Sequence, residues 1–214
     1  MEFLHQFVDL FLHLDDHLAD VISKYGTATY IILFTIIFCE TGLVVTPILP
    51  GDSLLFAAGS MAAIGALNPH LLFVLLTIAA IIGDTVNYLI GKKLGTAAFD
   101  KYPKIFRPEY LEKTQAFYAK YGGKTIIIAR FVPIVRTFAP FVAGVGTMTY
   151  SKFIMFNIVG GIVWVSSLTY AGYFFGNIPF VKKHFELVIL GIIFLSILPP
   201  IIEVVKHKMA AKKA

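Results

Sequence analysis

Long apolar segments separated by short polar ones fill most of the chain, and three of them have the length of a membrane crossing. A helix needs about 20 apolar residues to cross a ~30 Å hydrocarbon core. Residues 71–91, 153–175 and 187–205 meet this condition. The pattern therefore predicts an all-α integral membrane protein with about three transmembrane helices, the last of them at 185–206.

Two further apolar segments, residues 30–65 and 125–147, contain helix breakers near their middle. Proline interrupts a helix because it lacks an N–H and its ring clashes with the preceding turn. Non-helical backbone at membrane depth is tolerated only where protein or a wet cavity surrounds it. We therefore predict two re-entrant helical hairpins. Their predicted breakers are Pro47, Pro50 and Gly51 in the first hairpin and Pro133 in the second.

The two hairpin segments also resemble each other in sequence. Residues 47–61 match residues 133–148 with a small slip, and an apolar segment ending in Gly-x-x-x-Gly follows each. Small residues at this spacing also serve ordinary helix packing, but an ordered series of matches favours an internal repeat. The predicted repeats span residues 28–95 and 125–178.

Basic residues are concentrated in residues 96–124, between the repeats, and in the tail at 207–214. The positive-inside rule predicts that both segments, and with them the C-terminus, are cytoplasmic. In that orientation the repeats are inverted, and the tips of the two opposed hairpins face each other near the midplane, as in many secondary transporters.

The N-terminal segment, residues 1–25, places apolar side chains at helical spacing with acidic and histidine side chains among them. So many acids disfavour a crossing, and the segment is predicted to form an amphipathic helix at the membrane interface. His13 and His17 have a spacing that can bind a metal. A solvated polar face accounts for both, so no metal site is predicted.

Composition supports the membrane assignment, because 57% of the 214 residues are hydrophobic, 14% are charged and the mean hydropathy is +0.79. Soluble domains contain about 25% charged residues, so a soluble protein is excluded. The net charge of +5 comes with the basic segments that set the topology, and no nucleic-acid partner is predicted. No pattern in the sequence requires a cofactor.

Four charged residues lie inside the interrupted apolar segments, Glu40 and Asp52 in the first and Arg130 and Arg136 in the second. An ionised side chain at bilayer depth costs at least about 2.5–3.5 kcal/mol, so such residues face a protein interior, a partner or a wet cavity. All four are therefore candidate site residues. Asp84 is a further intramembrane acid, which either extends a proton path or is hydrogen-bonded to the hairpins.

The guanidinium groups of Arg130 and Arg136 suit bidentate contact with phosphate and do not deprotonate. Glu40 and Asp52 can titrate, so a phosphate bound between the arginines would release carboxylates to take up protons. In the structural alternative, the charges form buried salt bridges that hold the repeats together, although desolvation often cancels the gain from such pairs. An enzyme is not expected, because a lipid phosphatase needs a histidine in its core and none is predicted there.

Four motifs follow one another along the chain: Phe38-Cys39-Glu40-Thr41-Gly42, Pro47-Ile48-Leu49-Pro50-Gly51-Asp52, Gly83-Asp84-x-x-x-Tyr88-x-x-Gly91 and Ala129-Arg130-Phe131-Val132-Pro133-x-x-Arg136-Thr137. Together they resemble the DedA family over nearly the whole chain. The resemblance implies a multi-pass protein of the bacterial inner membrane with opposed re-entrant hairpins, related to eukaryotic lipid scramblases. It also implies an acidic pair at Glu40 and Asp52 and an arginine pair at Arg130 and Arg136.

Members of that family are implicated in returning undecaprenyl phosphate, the carrier lipid of envelope synthesis, across the membrane. The resemblance therefore implies translocation of an anionic lipid, either undecaprenyl phosphate or a phospholipid, with protons as a second partner. Arg130 and Arg136 are expected to bind the phosphate. The acids, with Asp84 among them, are expected to act as counter-ions and proton acceptors. A less selective phospholipid scramblase and a non-transporting scaffold stay open, as do proton coupling and homo-oligomer formation.

Overall fold

The computed structural model describes residues 14–43, 51–95, 108–185, 187–188 and 190–192 of the 214-residue chain. Within those ranges the regular secondary structure is entirely helical, as the all-α prediction requires. The helices are α1 (Leu14–Tyr25), α2 (Thr29–Gly42), α3 (Gly51–Ala63), α4 (Pro69–Leu94), α5 (Pro108–Tyr121), α6 (Thr125–Ala129), α7 (Pro133–Val142), α8 (Tyr150–Phe175) and α9 (Pro179–Lys183).

Three helical runs in the described residues are long and apolar enough to cross a membrane, namely Asp16–Gly42, Pro69–Leu94 and Tyr150–Phe175. The last two contain two of the predicted crossings. The first run, Asp16–Gly42, is not among the crossings that the sequence predicts. In this run a short 3₁₀ turn joins α1 to α2. The predicted helix at 185–206 lies largely outside the described residues, and the tail at 207–214 and residues 96–107 lie wholly outside them.

Helix α1 is the described part of the predicted N-terminal helix, whose residues 1–13, with His13, lie outside the described ranges. Leu18 on α1 is only 4% exposed and belongs to the core cluster that α3 also contributes to. The apolar face of α1 therefore contacts protein. A location at the membrane interface stays a prediction.

The first predicted hairpin is divided into two separate helices. α2 ends at Gly42, and Leu43 is extended. α2 packs along α4, whereas α3 packs along α8, so the two helices make little contact with each other. Gly51 begins α3, while Pro47 and Pro50 lie outside the described residues. The break is confirmed, and the re-entrant form stays a prediction.

The break in the second predicted hairpin lies entirely within the described residues. α6 ends at Ala129, and α7 starts at Pro133 after an extended Val132 with φ −126° and ψ 99°. Proline suits the first helical position because its missing N–H has no intrahelical partner there. Pro133 therefore sits at the break, as predicted. Beyond α7, Gly146 at φ 132° closes a π-helical turn at Ala143–Thr147.

The crossing helix α4 has a sequence-encoded start. Asn68 precedes it, and its side-chain oxygen accepts hydrogen bonds from the backbone N–H groups of His70 and Leu71, both at 3.0 Å. These bonds satisfy two of the donors that a helix N-terminus leaves without partners. Pro69 occupies the first helical position, where a missing N–H has no cost.

The two halves of the chain begin with the same turn. Gly26–Ala28 and Gly122–Lys124 are 3₁₀ turns whose first glycines have φ values of 53° and 54°. Glycine adopts a positive φ without steric cost, so the turn accounts for both glycines. Thr29 and Thr125 follow the turns and are buried, and each hydroxyl donates to the carbonyl eight residues earlier, at 3.4 and 3.0 Å.

Close helix packing also repeats between the halves. Four glycines let helix backbones touch, because a Cβ at each would overlap a carbonyl oxygen of the facing helix. The glycine and carbonyl pairs are Gly59 with Thr169 and Gly172 with Phe56, between α3 and α8, and Gly144 with Tyr88 and Gly91 with Phe141, between the region of α7 and α4. These matched contacts support the internal repeat. Its orientation relative to the membrane stays a prediction.

The main core lies between α2, α3, α4 and α8, where Leu33, Ile37, Leu55, Leu72 and Trp164 are at most 1% exposed. A second cluster surrounds α7, and α5 covers part of it. Tyr118 of α5 donates its hydroxyl to the Ala139 carbonyl at 2.9 Å. Burial raises the pKa of the Tyr118 phenol, which keeps this donor protonated.

Candidate functional site

Five charged side chains meet between the two halves, and we call them the charged centre. They are Glu40 at the end of α2, Asp52 in the first turn of α3, Asp84 in α4, Arg130 at the break before α7, and Arg136 in α7. All except Asp52 are buried. The structure thus brings together every charged residue that the sequence predicts for the site.

Arg136 makes the contacts expected between the two hairpins. Its Nη2 donates to Glu40 Oε1 at 2.6 Å, and its Nη1 donates to Asp52 Oδ1 at 2.8 Å. Each terminal nitrogen therefore has its own carboxylate. Gly51 makes room for this arrangement, because a Cβ at that position would overlap the Glu40 carboxylate.

Arg130 does not join the acids of the first hairpin, contrary to the expected meeting of two arginines with Glu40 and Asp52. Its Nη2 lies 2.6 Å from Asp84 Oδ2 and 2.6 Å from Asn157 Oδ1. The reason is its position at the break before α7, where the side chain faces α4 and α8 rather than α2 and α3. Asp84 is therefore bonded to Arg130 of the second predicted hairpin, which is one of its two predicted alternatives.

Two glycines of α8 leave room for the Arg130 side chain. A Cβ on Gly160 would lie 3.1 Å from Arg130 Nε, and one on Gly161 would lie 3.6 Å from Nη2. A larger residue at Gly160 would therefore press on the guanidinium group.

Trp164 links the two arginine environments. Its Nε1 donates to Asp52 Oδ1 at 2.9 Å, and its ring centre lies 5.3 Å from the guanidinium carbon of Arg136 and 5.7 Å from that of Arg130. These distances allow cation–π attraction to both arginines. The sequence analysis did not single out Trp164 as a site residue. The available signal was a lone indole N–H within an apolar span, which needs a partner when buried.

Two asparagines were also missed by the sequence interpretation. Asn157 donates through Nδ2 to the Ile81 carbonyl at 2.9 Å. Asn87 donates through Nδ2 to the carbonyls of Thr41 at 3.3 Å and Thr137 at 2.9 Å, so it joins the end of α2 to α7. An amide side chain inside an apolar span is the available signal in both cases, because a buried amide requires hydrogen-bond partners.

The charged centre contains polar atoms that its own side chains do not satisfy. Among the described residues, Arg130 Nε, Arg130 Nη1, Asp84 Oδ1 and Glu40 Oε2 are buried and have no hydrogen-bond partner. Such a group costs about 1–3 kcal/mol, and more when charged. The centre also has three carboxylates against two guanidinium groups. Arg130 can therefore donate to a further hydrogen-bond acceptor, and one of the acids can take up a proton.

Metal binding finds no support in the described ranges, where no group of three or more His, Cys, Asp and Glu side chains is placed to hold an ion. His17 lies on α1, and His13 is outside the described residues.

These features define a helical membrane protein with a charged centre buried between two broken helical segments. Residues 49–174 match the VTT domain. The chain is 56% identical to "Protein DedA" of Escherichia coli (strain K12), over all of this chain and 99% of that protein. The chain therefore belongs to the DedA family of VTT-domain membrane proteins.

More distant relatives cover somewhat less of the chain. "Uncharacterized membrane protein ML0287" of Mycobacterium leprae is 46% identical over 78% of this chain and 75% of its own length. "Inner membrane protein YqjA" of Escherichia coli is 36% identical over 72% of this chain and 71% of its own length. No solved structure matches the chain.

Proposed function

We propose that this protein carries an anionic lipid phosphate across the bacterial inner membrane, and that the lipid is undecaprenyl phosphate. The observation that carries the proposal is Arg130, which is 1% exposed and has two donor nitrogens, Nε and Nη1, without a partner among the described residues. A buried guanidinium group with open donors suits a phosphate oxygen, because charge-assisted hydrogen bonds of this type are strong. The choice of lipid rests on the family resemblance.

The charges of the centre suggest how binding and release could be linked to protons. Three carboxylates already outnumber the two arginines, so an incoming phosphate adds negative charge to a buried site. Protonation of an acid such as Glu40 or Asp84 would offset that charge. A membrane potential of 100 mV supplies about 2.3 kcal/mol per elementary charge, which is enough to bias the direction of movement.

The matched packing of the halves suggests the path. If the halves are inverted in the membrane, the two breaks lie near the midplane and the charged centre can open to either side, as in secondary transporters with inverted repeats. The name of the YqjA relative supports an inner-membrane location. The basic segment at 96–124 and the basic C-terminal tail would then be cytoplasmic.

The proposal treats the protein as a carrier that makes and breaks no covalent bond. Its partners are the anionic lipid and protons, with no nucleic acid. Homo-oligomer formation is compatible with it but is not required.

The proposal is tested by translocation of undecaprenyl phosphate in proteoliposomes, with and without a pH gradient. The native chain should move the lipid, and the gradient should change the rate. Glu40→Gln should remove the effect of the gradient, because the variant cannot take up a proton at that position. Arg136→Lys keeps the charge but cannot hold two carboxylates in a fork, and it should also slow movement.

The other outcomes identify the alternatives. Gradient-independent movement of many phospholipids would indicate a scramblase. No movement by protein shown to be folded would indicate a scaffold and would contradict the proposal.

A further inference from the structure

The two arginines of the charged centre have different surroundings. Arg136 has a carboxylate on each terminal nitrogen, at 2.6 and 2.8 Å. Arg130 has one carboxylate, Asp84, and one neutral amide, Asn157, both at 2.6 Å from the same Nη2. One of the two partners of Arg130 therefore carries no charge, and the positive charge of Arg130 is less fully compensated.

The two arginines also differ in how many of their donor nitrogens have a partner. Both terminal nitrogens of Arg136 are engaged by carboxylates, whereas Nε and Nη1 of Arg130 have no partner within the described part of the chain. Two buried donor nitrogens on a charged group are costly when they are left without an acceptor. The polar group that best removes this cost is an anion with several oxygens.

We propose that Arg130, rather than Arg136, binds the phosphate group of the lipid. Asn157 determines this preference because it places a neutral amide, and not a second carboxylate, beside Arg130. The inference rests on the proposed function and names which arginine binds the substrate. Asn157 acts through Arg130 and is a positioning residue.

The contacts of Asn157 fix the direction of its amide. Nδ2 donates to the Ile81 carbonyl at 2.9 Å and lies 3.4 Å from Thr85 Oγ1, so Oδ1 points to Arg130. The helix packing does not by itself require a polar group here. When Gly91 of α4 is aligned with Gly172 of α8, the residue that matches Asn157 is the buried Leu76.

A phosphate monoester fits the remaining groups of this subsite. Its oxygens can accept from Nε–H and Nη1–H of Arg130, and a protonated phosphate oxygen can donate to Asp84 Oδ1, which has no donor among the described residues. An aspartate in place of Asn157 would give Arg130 two carboxylates, as Arg136 has, and would repel the phosphate.

The chain provides its own probe for this subsite. Trp164 is the single tryptophan of the sequence, and its ring centre lies 5.7 Å from the guanidinium carbon of Arg130. Tryptophan fluorescence of the full-length protein in detergent can therefore be titrated with farnesyl phosphate, with farnesol and with inorganic phosphate. Farnesyl phosphate should give a saturable change, and farnesol, which has the same chain without the charge, should not.

Two variants compare a negative charge added at the subsite with one added elsewhere, and two lysine variants compare the arginines. Asn157→Asp should weaken farnesyl phosphate binding at least about tenfold, because it adds a negative charge beside the anion. Asn177→Asp is the matched control: its Nδ2 bonds only the Ser60 carbonyl in the described contacts, and its affinity should stay within about twofold of native. Arg130→Lys should lose at least about fivefold more affinity than Arg136→Lys.

Failure of the inference can be told apart from failure of the proposed function. If the native chain binds farnesyl phosphate no better than farnesol, the proposed function fails. If it binds the phosphate but Asn157→Asp binds equally well, or Arg136→Lys is the weaker of the two lysine variants, the inference is wrong and the function stands. Equal binding of inorganic phosphate, lost in Arg130→Lys, would support the subsite with free phosphate as its ligand. Should Asn157→Asp fail to fold, the two lysine variants decide.

Discussion

The glycine contacts of the two halves match, whereas their charged contacts do not. Gly59 approaches α8 in the way that Gly144 approaches α4, each against a backbone carbonyl. By contrast, Arg136 reaches two acids of the first half, and Arg130 reaches Asp84 and an amide of its own half. The comparison indicates a repeated scaffold that holds a single, unsymmetrical site.

The alignment of α4 with α8 makes the same distinction residue by residue. With Gly91 on Gly172, Asp84 matches Val165 and Asn157 matches Leu76. Asp84 and Asn157 therefore each correspond to an apolar residue in the other half. Packing accounts for the repeat, and a different requirement must account for the polar groups.

Removing Arg136 should have the largest effect. Arg136→Ala leaves Glu40 and Asp52 without their shared partner, and breaking a buried ion pair in this way costs about 3–5 kcal/mol. Arg130→Ala leaves only Asp84 and should cost less. Melting temperatures in detergent would measure both. Equal destabilisation would contradict the unequal surroundings of the two arginines.

Filling the glycine contacts should have the next largest effect. Gly59→Ala and Gly144→Ala each place a methyl group against backbone that cannot rotate away, at a cost of about 1–3 kcal/mol. The two losses should be similar, because the contacts match. Gly191→Ala is a control, since a Cβ there meets nothing within 4 Å among the described residues. A large loss in only one half would contradict the repeated scaffold.

Loss of the indole N–H should be milder. Trp164→Phe keeps an aromatic ring beside both arginines but removes the hydrogen bond to Asp52, so it should cost about 1 kcal/mol. Arg136 still contacts Asp52 in this variant. Trp164→Leu also removes the cation–π attraction and should melt lower than Trp164→Phe. If the two variants had the same melting temperature, the aromatic ring would have no role beyond its volume.

The smallest effects are expected at the two 3₁₀ turns. Thr125→Val should cost about 0.5–1.5 kcal/mol, because Thr125 is buried and its hydroxyl donates at 3.0 Å, the shorter of the two bonds. Thr29→Val should cost less, because the corresponding bond is 3.4 Å long. Thermal melts of both variants would rank them, and the reverse order would show that bond length does not set the cost.

Much of this arrangement could be predicted from the sequence because its physical cost is visible there. Prolines and charges in apolar segments are expensive, so Pro133, Glu40 and Arg136 marked the break and the site. The glycine series likewise favoured an internal repeat. These signals depend on local composition alone.

The pairing of the charges could not be predicted in the same way. Which acid meets Arg130 depends on which helix faces the break, and that depends on α3 packing across to α8. Asn157 and Trp164 carry no charge, so their burial adds little to the apolar pattern. Only the rule that a buried amide or indole needs a partner could have identified them.

Binding of the lipid phosphate at Arg130 is tested most directly by the initial rate of undecaprenyl phosphate translocation in proteoliposomes, compared between the native chain and Arg130→Lys at matched amounts of folded protein. We expect the native chain to move the lipid faster than protein-free vesicles and Arg130→Lys to be at least about tenfold slower, because a lysine cannot offer the same set of buried donors. A native rate equal to that of empty vesicles, or equal rates for both proteins, would contradict this expectation.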